Sequence, residues 1–346
     1  MIFVLFLQKQ VEQRKKSLVE MKISVVGTGK IVGEVLEMLH RELPGKVEVT
    51  GIFAREQSVE HAIDLCQQYA PTGFVYTDYD RMLAEAEADF VYVANANHVH
   101  YEYAARAIRT QHNVIVEKPI ASNRSETELL FDLAIQWGVY CMPAYSLLYM
   151  PLFFRLNEYL PRLGTIRMVN CCYAQYSSRY DKYLRGEVTP TFDPACSGGA
   201  LMDLNVYNLC FLIGLFGPPR TAYLMKNTGY NGIDTSGTML LHYPTFVASL
   251  SAAKDSDGHS FGCIQGELGY IEVKGSVSVL QEFTVHLRGE EPVTFRAAEG
   301  CHRLGYEFQA FCDLIENPLQ CHINVPYLGS VALEVAIAME RMQTIL

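Results

Sequence analysis

A β-forming run, Ile23 to Val26, passes directly into Gly27-Thr28-Gly29-Lys30-Ile31-Val32-Gly33, where a helical pattern begins. Glycines at such a junction let the chain turn tightly, and backbone N–H groups can then approach a diphosphate at the positive end of the helix. Gly27, Thr28, Gly29, Lys30 and Ile31 are therefore candidates for holding the diphosphate of a dinucleotide. A strict GxGxxG would place its third glycine at 32, where Val32 stands, so helix and strand are expected slightly farther apart than in that motif.

Three more segments fall where such a ligand would continue. The second strand pattern ends at Ala54-Arg55, with no acid to take a ribose 2'-hydroxyl and a guanidinium suited to a 2'-phosphate; NADP is favoured, and Glu56 keeps NAD open. The fourth ends in Ala94-Asn95-Ala96-Asn97-His98-Val99-His100, and Ala94, Asn95, Asn97 and His100 are candidates to approach the nicotinamide ribose. His98 and His100 lack a clustered carboxylate, so no metal is expected. The fifth strand stops at Glu117-Lys118-Pro119. There Glu117 and Lys118 join the cofactor set, and Lys118 could donate to a substrate hydroxyl or carbonyl oxygen as hydride moves.

A fifth constellation lies far downstream, in Ser197-Gly198-Gly199-Ala200-Leu201-Met202-Asp203-Leu204-Asn205-Val206-Tyr207-Asn208. A glycine turn opens an apolar helix, and the four-residue spacing puts the Asp203 carboxylate and the Tyr207 phenol on one face. The same pair also suits a packed core tyrosine and a helix-capping acid. Arg179 and Tyr180, in a tyrosine-rich stretch from Tyr173 to Tyr183, are further candidates for contacting a small molecule.

The elements that must position these residues alternate strand and helix from Lys22 to Glu117. They predict a doubly wound parallel sheet over 21–120. Beyond Pro119 the strands lengthen and alternate: Ile166 to Tyr176, Thr221 to Tyr230, Thr235 to Tyr243, Phe246 to Ala253, Phe261 to Glu267, Gly269 to Val273 and Ser276 to Leu280. They predict an α+β domain over 121–326 with one large, mostly antiparallel sheet. Helices are expected at Ser125 to Trp137, Pro151 to Leu160, Gly305 to Glu316 and Tyr327 to Thr344, the last (327–346) packing back near the first domain.

A chain of 346 residues suits two domains. Its net charge of −10 and the lack of a long run of Lys or Arg in the folded body make nucleic acid a poor partner. The ten cysteines contain no CxxC pair and read as reduced thiols of a cytoplasmic protein. The apolar start MIFVLFL is too short to span a bilayer, so no membrane is expected, and residues 1–20 read as an N-terminal extension.

In order and spacing, the Gly27 to Gly33 turn, the stretch VYVANANHVHYEYAARAI from Val91, Glu117-Lys118-Pro119 and SGGALMDLNVYN from Ser197 resemble the glucose-fructose oxidoreductase, inositol dehydrogenase and rhizopine catabolism (Gfo/Idh/MocA) family, from Lys22 almost to the end. The resemblance implies a Rossmann domain, an open-faced sheet used for homodimers or homotetramers, and an active site in the interdomain cleft. It makes Lys118 the catalytic lysine, sets Asp203 on the family's acid, and sets Tyr207 where His is common and Tyr occurs in some branches. Leu148 stands where many members carry an Arg ahead of Pro151, which weakens any transfer of substrate specificity. The implied activity is NADP- or NAD-dependent hydride transfer at a carbinol or carbonyl carbon of a sugar, polyol or similar hydroxylated compound. Alternatives are a trans-dihydrodiol or imine reductase and a non-catalytic NADP-sensing regulator.

Overall fold

The computed structural model describes residues 21–318, 321 and 323–343, and the chain divides into two compact units. One holds the chain up to Ile120, Ser125–Ala144 and Cys301–Gly329; the other holds Ala121–Arg124, Tyr145–Gly300 and the chain from Ser330 on. The extension expected over 1–20 and the helix end expected at Thr344 lie outside the described residues.

The first unit runs β1 (Met21–Val26), α1 (Lys30–Glu42), β2 (Val47–Phe53), α2 (Val59–Tyr69), β3 (Phe74–Tyr76), α3 (Tyr79–Glu85), β4 (Phe90–Val93), α4 (His100–Arg109), β5 (Asn113–Glu117), α5 (Arg124–Trp137) and β6 (Cys141–Ala144). Its six strands are all parallel, in the order β3-β2-β1-β4-β5-β6. Strands buried on both faces cannot alternate, and every residue of β4 is buried accordingly. Helix α1 buries Val32, Val35, Leu36, Met38 and Leu39, the stripe that a 3.6-residue period brings to one side.

The sheet extends past the boundary expected at residue 120, because α5 carries the chain to β6, which pairs in parallel with β5. Four wholly buried residues have no periodicity that would assign them to either sheet type.

The second unit contains α6 (Pro151–Tyr159), β7 (Ile166–Ala174), α7 (Tyr180–Leu184), α8 (Val206–Phe216), β8 (Thr221–Thr228), β9 (Asp234–His242), β10 (Val247–Ala253), β11 (Phe261–Gly266), β12 (Gly269–Lys274), β13 (Glu282–Leu287) and β14 (Val293–Arg296). The eight strands follow the order β14-β13-β12-β11-β7-β10-β9-β8, antiparallel except for the parallel pair β7 and β10. Strand β10 shows why one face is covered: Ala248, Leu250 and Ala252 are buried while the residues between them are not. Helix α8 packs on β7 and β10. The stretch Pro194–Phe216 is apolar enough to resemble a membrane span, and 72% of its most apolar window is buried inside the molecule.

The strand expected at Ser276 to Leu280 is absent. Ser276, Val277, Ser278 and Leu280 are all buried, the two serine hydroxyls bond each other at 2.9 Å, and Leu280 has φ +32°, so the alternating residue types trace a turn. Strands β13 and β14, not expected, close that side; β14 is an edge strand with no buried residue to mark it.

Two helices follow, α9 (Arg303–Glu316) and α10 (Val325–Gln343). Helix α9 belongs to the first unit, where Phe308 meets Tyr92 with ring centroids 5.6 Å apart and Phe311 meets Phe90 at 5.9 Å. The last helix, expected near the first domain, groups with the second unit from Ser330 on.

Candidate active site

At the carboxyl edge of the parallel sheet, Gly27 leaves β1 with φ +118°, and a Cβ there would lie 2.8 Å from the Ala94 carbonyl oxygen at the end of β4. Only glycine fits that approach. Helix α1 then starts at Gly29 with no side-chain cap and no acid in its first turn; Gly29 has open space around it and is exposed, like Lys30. The free N–H groups and positive end of this helix fit a diphosphate. Thr28 and Ile31 are half-buried beside them, and the Lys30 ammonium leans back to Glu34 at 3.6 Å. Val32 is fully buried, and a Cβ on Gly33 would only graze Leu65.

Around this turn, Ala54 is buried and Arg55 exposed at the end of β2. Asn95 has a buried side-chain oxygen with no hydrogen-bond partner, an orphaned acceptor beside the glycine turn. Asn97 opens the short turn into α4. His100 is buried, with Nδ1 2.9 Å from the Pro119 carbonyl and Nε2 3.2 Å from that of Asn95. Burial lowers it to about 4, so the ring is neutral and donates to only one of the two carbonyls. It ties the loop after β4 to the loop after β5. His98 is exposed, and among the described residues no cluster of three His, Cys, Asp or Glu could hold a metal.

Lys118 follows β5, half-buried, and its position depends on a buried polar group beneath it. Glu117 Oε2 accepts from the Lys118 N–H at 3.1 Å, and Oε1 accepts from the Tyr92 hydroxyl at 2.7 Å. Burial raises the Glu117 carboxyl, against the lowering pull of Lys118 and Tyr92. Glu307 of α9 is 1% exposed, its Oε1 has no partner, and burial followed by the charge of Glu117 raises it well above the carboxylate range. Tyr92 and Glu307 escaped the sequence reading. The signal for Tyr92 was present, since a tyrosine in an otherwise apolar strand needs a partner for its hydroxyl.

In the second unit, Leu201–Asn205 winds as a π-helical turn before α8. Between Leu201 and Cys210 only Asp203 and Tyr207 are not buried, so the structure does place the carboxylate and the phenol on the uncovered side. The Tyr207 ring lies 6.2 Å from that of Tyr173. Gly199 has φ +102°, and a Cβ there would overlap the carboxylate of Asp234, which accepts from the Leu201 N–H at 2.6 Å. Asp203 Oδ2 accepts from Lys254 Nζ at 2.8 Å. Lys254 was missed, although it continues the parity of Ala248, Leu250 and Ala252, the buried face of β10. Arg179 is exposed and precedes α7; Tyr180 packs on Tyr183 and Phe192 in a small aromatic cluster.

The family model for the oxidoreductase family with an NAD-binding Rossmann fold, GFO_IDH_MocA, matches residues 21–145, and the GFO/IDH/MocA C-terminal domain matches 161–276. The chain belongs to the Gfo/Idh/MocA oxidoreductase family. This Gfo/Idh/MocA protein is 31% identical over 315 residues to scyllo-inositol 2-dehydrogenase (NADP(+)) IolU of Bacillus subtilis, covering 88% of the chain and 91% of the relative. It is 30% identical over 303 residues to the uncharacterized oxidoreductase YgjR of Escherichia coli, covering 87% and 90%. Among solved structures its fold matches KijD10, a 3-ketoreductase from Actinomadura kijaniata in complex with NADP and TDP-benzene, with a TM-score of 0.80 at 20% identity over 94% of this chain and 97% of that one. The cofactor of this Gfo/Idh/MocA member is a nicotinamide dinucleotide, and the uncapped α1 terminus, the glycine cradle and the orphaned Asn95 oxygen fit one.

Proposed function

We propose that this chain is an NADP-preferring dehydrogenase or reductase acting at a carbinol or carbonyl carbon of a sugar, polyol or related hydroxylated compound. One observation carries the reading: the glycine turn, Asn95 and Lys118 stand at the carboxyl ends of β1, β4 and β5, three adjacent strands of one parallel sheet. Ligands of open α/β sheets bind at that edge, and a lysine there has a use that mere nucleotide storage would not give it. The NADP-dependent relative acting on scyllo-inositol and the acid-free Ala54-Arg55 tip support the cofactor and substrate class.

When bound, the dinucleotide accepts or supplies hydride. Gly27, Thr28, Gly29, Lys30 and Ile31 hold its diphosphate, Ala54 and Arg55 the adenosine ribose with its 2'-phosphate, and Ala94, Asn95, Asn97, Glu117 and Lys118 the nicotinamide end, with His100 bracing the loops. Lys118 orients and polarises the substrate oxygen. Tyr207 or Asp203 handles the proton, and Arg179 and Tyr180 contact the rest of the substrate. The open face of the eight-stranded sheet, which exposes Met168, Tyr223, Met225, Leu240 and Val247, pairs copies into a homodimer or homotetramer. The ten cysteines, none of them in a disulfide among the described residues, suit the cytoplasm.

Following absorbance of the reduced cofactor across sugars, polyols, diols and ketones, with NADP and NAD, tests the reading. Turnover of a polyol or sugar with NADP preferred is expected. Tight NADP binding without turnover of any substrate would instead establish a sensing protein.

A further inference from the structure

Two carboxyl groups of the first unit are buried near each other, and their hydrogen bonding is unequal. Glu117 is 7% exposed and both of its oxygens are taken, Oε1 by the Tyr92 hydroxyl at 2.7 Å and Oε2 by the Lys118 N–H at 3.1 Å. Glu307 is 1% exposed, it precedes the Phe308 that packs on Tyr92, and its Oε1 accepts nothing. Donors to a carboxylate favour its charged form, whereas an ionised oxygen with no partner in a dry interior is costly. Two like charges in such a place do not both persist. The unequal bonding therefore assigns the negative charge to Glu117 and the proton to Glu307. Burial, then the charge of Glu117, acts on Glu307 in the same direction.

The other titratable and charged groups around the pair come from every neighbouring element. Arg303 of α9 draws both carboxyls down, but it also lies 3.9 Å from Glu34 of α1. Lys118 draws Glu117 down, Tyr92 of β4 stays a neutral phenol raised by burial, and His100 of α4 is a neutral ring on the Pro119 carbonyl. If Glu307 loses its proton, a second anion appears beside the first. Glu117 can then move away only by giving up a hydrogen bond, and the 3.1 Å bond from the Lys118 N–H is longer than the 2.7 Å bond from the phenol. The bond to Lys118 is the one that yields.

We propose, on the reading of Lys118 as the group that polarises the substrate oxygen, that Glu307 is a positioning residue for it: protonated, Glu307 leaves Glu117 as the single anion holding the Lys118 backbone, and ionised, it drives that anion off. The lysine is thus set in place by a proton kept on a different element, and activity is lost on the alkaline side when that proton leaves.

Two measurements on the intact protein test it. With the backbone nitrogens of lysine isotopically labelled, the Lys118 amide resonance, assigned by its absence in Lys118→Arg, should leave its hydrogen-bonded position as pH rises, with one midpoint. In Glu307→Gln, which cannot ionise, the signal should hold still over the same scan. It should hold still in Glu117→Gln as well, because repulsion needs two anions. A midpoint that persists in either variant overturns the proposal, since titration of Lys118 itself would survive both changes. A wild-type signal that moves only as pH falls, or that does not move before the protein unfolds, overturns it too. If Glu307→Gln does not fold, Glu117→Gln still separates repulsion from the titration of Lys118. On a substrate that is turned over, Glu307→Gln should keep about tenfold more kcat/KM than wild type one pH unit above the wild-type alkaline midpoint, the factor that one titrating group imposes over that span. An unmoved alkaline limb overturns the proposal. If no substrate is turned over at all, the functional reading of Lys118 fails while the amide signal still decides whether Glu307 sets its position.

Discussion

The phenol of Tyr92 donates a 2.7 Å hydrogen bond to Oε1 of Glu117 where both side chains are buried, and the other oxygen of Glu117 takes the backbone N–H of Lys118. The lysine therefore stands on a carboxylate that is itself held by a strand in the middle of the sheet. Tyr92→Phe keeps the ring packed against Phe308 and removes only the hydroxyl. A buried charged acceptor that loses a partner costs about 1–3 kcal/mol, so the denaturant midpoint should fall with little change in slope. Turnover should fall as well, because the Glu117 carboxylate is then free to turn away from the Lys118 N–H. A variant with unchanged midpoint and turnover would show that the hydroxyl does not anchor this group.

The same pocket gives a pH-dependent stability with a definite sign. Burial, then the charge of Glu117, raises the Glu307 carboxyl well above its ordinary value, against a lowering pull from Arg303. The folded state thus keeps a proton that the unfolded chain releases, and stability is full below the unfolded value and lost as pH rises toward the folded one. His100, lowered by burial to about 4 from an ordinary 6.5, slopes the opposite way in that narrower span. Comparing Glu307→Gln with wild type cancels the histidine. The glutamine variant should gain on wild type steadily from acid to neutral pH in chemical denaturation; a difference that does not vary with pH would mean that Glu307 is ionised in both states.

What could be read from sequence follows from which features are local. The β1 turn, Lys118 and the Asp203–Tyr207 spacing lie within single segments, and a glycine, a strand end or a helical period marks each of them. Tyr92, Glu117 and Glu307 come together from β4, β5 and α9, and nothing in any one segment announces the partner. Lys254 is intermediate: just past β10, it continues the inward phase of that strand, but only the fold supplies Asp203 and Thr191 to receive it. The same contrast explains the sheets, where long alternating strands were legible, while the buried β6 reads as a strand with no period to assign its sheet and the exposed β14 carries none at all.

At the end of β2, Ala54 is buried and Arg55 exposed, with no acid before Glu56. If the guanidinium of Arg55 pairs with a 2'-phosphate, Arg55→Ala should weaken NADP far more than NAD, since only NADP carries that group. Titrating cofactor binding by fluorescence for both dinucleotides measures the two losses separately. Equal losses would remove the argument for NADP from this residue.

Lys118 supplies the strictest test of the functional proposal, because its effect can be separated from that of the surrounding scaffold. Its backbone is held through Glu117, and the glycine turn that would hold the diphosphate belongs to a different loop, so removing the side chain would leave the cofactor contacts proposed at the ends of β1 and β2 in place. Lys118→Ala should therefore lower kcat by about a hundredfold or more, the usual scale of a general acid–base contribution, with little change in NADP affinity. Lys118→Arg keeps the charge but not the compact, proton-exchanging ammonium, and should recover little of the loss. Near-normal turnover in Lys118→Ala on a true substrate would show that the lysine is not the group that polarises the reacting oxygen. A parallel loss of NADP binding and turnover would show that it serves the cofactor instead.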